Sequence, residues 1–112
     1  MDGMNEAIKA HILASLKKDY PDKEITDDWI LDALLGDYKY EEVTSTHRWW
    51  NDVFRVTEID GMLIGFDWAV TTGDDSARDK GWEFDPSSVC EVEATTETIT
   101  RTIYKPKATV PA

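Results

Sequence analysis

His47 is the residue most able to start a proton transfer, because Ser45 and Thr46 precede it directly and only one other histidine, His11, exists. Nucleophilic catalysis needs a hydroxyl or thiol beside a base, and a third group that orients the base. Neighbours along an extended chain point apart, so Ser45-Thr46-His47 does not make that constellation by adjacency. No nucleophile elbow, phosphate-binding glycine loop or zinc-binding histidine pair accompanies it. His47 is therefore expected at a strand end or facing solvent.

A second candidate is the acidic stretch Asp74, Asp75 and Asp79, extended by Glu83 and Asp85. Carboxylates there could gather around Ca²⁺ or Mg²⁺. The spacing is not that of an EF-hand loop, and Arg78 and Lys80 dilute the negative charge, so a solvated loop is the plainer reading. No metal or other cofactor is expected. Paired carboxylates for glycoside chemistry need a sugar cleft between them, for which a chain of 112 residues has little room. Cys90 sits among Glu91 and Glu93, which raise a thiol pKa and work against a reactive thiolate. A buried structural thiol is the expectation.

The aromatic residues carry more information. Tyr38, Tyr40, Trp49, Trp50, Phe54, Phe66, Trp68, Trp82 and Phe84 all fall in the central and later parts of the chain. Two readings compete: a large core with a loop folded over the second sheet face, or an aromatic patch exposed for binding.

The elements that must position these residues follow from periodicity. Ile8, Ile12, Leu13 and Leu16 form a helical stripe over residues 5–19. Thr26 is a plausible N-cap, with Asp27 and Asp28 in the first turn and Trp29, Ile30, Ala33 and Leu34 at helical spacing. The period then changes to two. Asp60-Gly61 between two β-rich runs predicts a hairpin of the I′ kind with Ile59 opposite Met62. That register places Val53, Arg55, Thr57, Ile59, Met62, Ile64, Phe66 and Trp68 on one face, the better core candidate. Phe54, Val56, Glu58, Leu63, Gly65 and Asp67 lie on the other. Val89–Glu93 and Thr98–Tyr104 read as further strands. The fold expected is α+β: two short N-terminal helices packed on one face of a four- to five-stranded, mainly antiparallel sheet. Residues 1–104 form one domain, and residues 105–112 are a mobile tail.

"STHRWWND", residues 45–52, reads as strand, so Trp49 and Trp50 must face opposite ways. The Ile59–Met62 parity predicts Trp49 in the core and Trp50 beside Phe54 on the second face. A contact surface is accordingly expected at Trp50, Phe54, Asp67, Asp74, Asp75, Asp79 and Glu83.

Charge narrows the partner. Twelve Lys and Arg against 23 Asp and Glu give a net charge of −11. Duplex binding needs clustered positive charge, and anionic membranes repel this chain for the same reason. Direct nucleic-acid and membrane binding are therefore not expected. A basic protein partner is, of the kind that itself binds nucleic acid, and a homodimer is left open. The absence of a basic and apolar leader and the single cysteine point to a reduced cytoplasmic setting. Two function classes stand: a non-catalytic acidic protein-binding module, and a small ligand-binding protein or enzyme with a Trp- and Asp-lined pocket using His47, Arg48 and Arg55.

The string "YKYEEVTSTHRWWND…DGMLIGFDWAVTTGD" resembles small acidic proteins encoded by bacteriophages and prophages, over roughly residues 27–90. The resemblance implies a host-cell cytoplasmic setting and an inhibitor of a host protein, of the anti-restriction or anti-CRISPR kind, whereas the sharper version, a nucleic-acid mimic with carboxylates laid out like phosphates, rests on the acidic composition. The resemblance assigns no functional residues.

Overall fold

Asn5 opens the first helix. Its side-chain oxygen accepts hydrogen bonds from the amides of Ala7 (2.9 Å) and Ile8 (3.2 Å), satisfying donors that a helix start leaves over. The computed structural model describes residues 3–73, 81–104 and 106–107. Helix α1 spans Glu6–Asp19, with Glu6 in the first turn and Lys17 and Lys18 in the last, the signs that the helix dipole favours. Helix α2 spans Asp27–Leu34. Thr26 stands at its N-cap but makes no side-chain cap bond; its carbonyl accepts the amides of Trp29 (3.1 Å) and Ile30 (3.3 Å) instead.

Four strands follow in a meander: β1 Tyr38–Thr46, β2 Trp50–Ile59, β3 Met62–Thr71 and β4 Cys90–Glu91, ordered β1-β2-β3-β4 with every pair antiparallel. Asp60 (φ 47°) and Gly61 (φ 83°) both take positive φ, as a I′ turn requires. Ile59 lies opposite Met62, and the ladder runs unbroken to Trp50 opposite Thr71. Lys18 reaches across from α1 to the Asp60 carboxylate at 3.1 Å, and His11 Nε2 lies 2.7 Å from the Ile59 carbonyl. The Lys18 ammonium, and then the Ser15 hydroxyl, hold the Asp60 carboxyl below its ordinary value.

The core sits where the period-two pattern places it. Val53, Thr57, Ile64 and Phe66 are buried on one sheet face. Ile64 and Phe66 form a cluster with Met4, Ile8, Ile12, Ile30 and Leu34 of the N-terminal region and with Val89. The Thr57 hydroxyl is satisfied by donating to the Asp37 carbonyl at 3.0 Å. Phe84 and Trp82 extend this layer: ring centroids are 6.2 Å apart for Phe66–Phe84, 6.0 Å for Trp68–Phe84 and 5.2 Å for Trp68–Trp82. Phe84 thus packs against the core cluster on the side where the helices sit, whereas Trp82 meets only Trp68 there and also borders the groove beside Trp50.

Two strand expectations need correction. Val89–Glu93 shrinks to Cys90–Glu91, paired with Gly65 and Ile64, plus one bond from the Val92 amide to the Leu63 carbonyl (2.9 Å). Thr98–Tyr104 forms no strand. A strand needs an edge within reach as well as a pattern. Here Cys90–Glu91 takes the β3 edge, and Val92–Thr95 then borders the second face beside Leu63, Phe54 and Tyr40. Of the expected mobile tail, Lys105 and residues 108–112 lie outside the described residues.

Candidate binding groove

"STHRWWND" is not one strand. β1 ends at Thr46, residues 47–49 turn, and β2 starts at Trp50. The His47 amide donates to the Trp50 carbonyl (2.9 Å), closing the turn. The Thr72 amide and hydroxyl then hold the Trp49 and Arg48 carbonyls at 3.0 and 3.2 Å.

Trp49 is 48% exposed, with the Arg48 guanidinium 4.7 Å from its ring centroid, so its expected place in the core is wrong. The alternation that put it there holds only within a strand, and Trp49 lies in the turn before β2. Helices of 14 and 8 residues extend about 21 and 12 Å, whereas a ten-residue strand extends about 33 Å. α1 reaches the Asp60 end through Lys18 and His11. Cys90 is also exposed, against expectation. Its neighbour Val89 points into the core, and alternation turns Cys90 outward.

Trp50 is half-buried on the side of Phe54 and Val56. Its indole N–H donates to Asp52 Oδ1 at 3.0 Å, and its ring stacks on His47 with centroids 4.6 Å apart at 23°. His47 Nε2 lies 2.8 Å from Asp52 Oδ2 and 3.4 Å from Ser45 Oγ. A serine, a histidine and an aspartate therefore meet, but not as a proton relay. A relay takes the carboxylate on one ring nitrogen and the hydroxyl on the other, and here both approach Nε2. The set instead fixes the Trp50 and His47 rings as one wall.

That wall borders a groove of about 470 Å³, completed by Thr44, Val53, Asp67, Trp68, Trp82, Glu83 and Asp85. The Asp85 carboxylate accepts from the Ser87 amide (3.0 Å) and hydroxyl (2.6 Å), capping the short 3-10 turn Pro86–Ser88. Asp67 and Glu83 are exposed and, among the described residues, have no ion-pair partner. Three indoles and four carboxylates thus line one opening, residue types whose chemistry suits a cation. No group of three or more metal-ligating side chains converges among the described residues.

Of the residues expected to form a contact surface, Trp50, Asp67 and Glu83 come together in this groove. Phe54 borders a separate groove of about 540 Å³ with Tyr40, Val56, Leu63 and Val92. Its ring covers Gly65, where a Cβ would collide with it. Asp74, Asp75 and Asp79 lie outside the described residues. Of the polar groups considered for a small-molecule pocket, only His47 reaches the groove. Arg48 lies on Trp49, while Arg55 pairs with Glu41 (Nη2–Oε2 2.5 Å) and lies 4.5 Å from the Tyr38 ring centroid. Sequence reasoning missed Asp52, the hub of the wall. The signal was present in His47 and Asp52 flanking a turn, and it is legible only once the turn is seen.

No family model matches the chain, and neither a curated protein nor a solved structure does. Among the described residues, no helix is long and apolar enough to cross a membrane.

Proposed function

We propose that this chain is a non-catalytic acidic binding module that receives an arginine or lysine side chain of a basic protein in the groove between Trp50 and Trp82. The observation that carries the reading is the union of three indoles with Asp52, Asp67, Glu83 and Asp85 around one opening. A cation held over an aromatic face gains roughly 0.5–2 kcal/mol, more as water is excluded. The net charge of −11 steers a basic surface toward the groove over the first nanometre or so. Nucleic-acid-binding proteins present such surfaces, and covering one would inhibit it. That role accords with the resemblance to phage-encoded proteins.

The test is a titration with an arginine-rich peptide, followed by tryptophan fluorescence at low and high salt. A saturable change is expected at low salt, weakened at least ~10-fold in Asp67→Asn/Glu83→Gln and by high salt. An acidic peptide of equal length should produce none. Absence of a saturable change at low salt, or an unaltered affinity in Trp50→Ala, overturns the proposal. The Trp- and Asp-lined opening also suits a small organic cation. Saturation by tetramethylammonium without saturation by the peptide would favour that second reading.

A further inference from the structure

Thr98–Tyr104 has the alternation of a strand and, among the described residues, no strand partner. Thr98, Thr100 and Thr102 alternate with Ile99, Arg101 and Ile103, a composition rich in β-branched residues. In the folded chain Ile99 is 74% exposed, Ile103 59% and Tyr104 94%. Apolar side chains so placed favour burial against something.

At the opposite side of the sheet, β1 is an edge strand with no outer neighbour among the described residues. Tyr38, Tyr40 and Val43 are each about half exposed. Register shifts at both ends of β1 leave Tyr40–Val43 as its regular stretch. A bare edge of this kind is a template for another strand.

Charge selects which strand. Glu41 and Glu42 stand in the middle of the β1 edge, so two β1 edges meeting around them would set like charges side by side, which is unfavourable. A basic strand meets no such penalty. Residues 98–112 carry three bases and no acid, whereas residues 1–97 carry all 23 acids.

We infer that residues 98–104 of one copy add as an antiparallel strand to the β1 edge of a second copy. Placing Arg101 opposite Glu42 puts Ile103 opposite Tyr40, beside the apolar groove of Phe54 and Val56, and Thr102 opposite Glu41. One register thus pairs the charges and covers the exposed isoleucine. The association leaves the groove at Trp50 out of account, so its failure and the failure of the cation-binding reading are separate results.

The test is sedimentation of the full chain over a concentration series at low salt. Wild type should shift from monomer to a larger species as concentration rises. Thr100→Pro removes a ladder donor in an exposed segment, so it should weaken association at least ~10-fold. Circular dichroism and tryptophan emission of the monomer should stay unchanged. Arg101→Glu and Glu42→Lys should each weaken association by a similar factor, and the double variant should recover most of it. A wild type that stays monomeric at every concentration overturns the inference. So does association that persists in Thr100→Pro, or a double variant no stronger than its singles.

Discussion

The two ends of the β2–β3 hairpin are built from different materials. At one end, Asp60-Gly61 turns the chain in two residues through backbone preference alone, and α1 fastens the turn through Lys18 and His11. At the other end, residues 47–49 turn without glycine, and side chains do the fixing: Asp52 holds His47 and Trp50, while Thr72 holds two carbonyls. The first end is met by α1. The second presents aromatic rings and carboxylates to solvent. The difference teaches that the helix-fastened turn and the groove proposed for recognition stand at opposite ends of this sheet.

Substitutions can break this contrast. The largest effect should come from Ile64→Ala in the core, where a fully buried side chain is lost. About 2–5 kcal/mol of stability should disappear in urea unfolding. Gly61→Ala comes next. The added Cβ meets nothing within 4 Å, so the cost is that of a left-handed backbone alone, about 1–2 kcal/mol. Asp52→Ala at the groove end removes bonds to two half-exposed partners and should cost about 1 kcal/mol or less, while weakening arginine-peptide binding by disordering the His47–Trp50 wall. An Asp52→Ala variant as damaging as Ile64→Ala would erase the contrast.

The smallest effect concerns pH. The Asp60 carboxyl titrates lower folded than its ordinary 3.8, because Lys18 favours the charged form. Its contribution is present above that ordinary value and is lost as pH falls through the lowered one. Lys18→Met should make wild-type and variant stabilities converge at the acidic end of that window in pH-dependent urea melts. The site is exposed, so the convergence should be small.

The same contrast explains what was legible in the sequence. The α1 stripe, the Asp60-Gly61 turn, the Ile59–Met62 register and the buried face all rest on local backbone rules, and all are present. The turn at His47 depends on Asp52 and Thr72, five and 25 positions away, and nothing local announces it. Trp49 shows a different limit: alternation assigns a side chain to a face only inside a strand, and residue 49 belongs to the turn. Thr98–Tyr104 shows a third, since a strand pattern specifies half of a pair. Of the candidate site, Trp50, Asp67 and Glu83 were recognisable from residue type, whereas the groove that unites them was not.

The core cluster joins Met4 and Ile8 to Val89, and Gly3 lies against Ser87. The first helix is synthesised early, yet its apolar face has no complete seat until residue 89 has been made. The meander between them closes through neighbouring segments, the fast kind of contact. The join of Met4 to Val89 spans most of the chain and is the slow one. The topology thus favours a latch: hairpins first, then the segments around Met4 and Val89 meeting over Ile64 and Phe66.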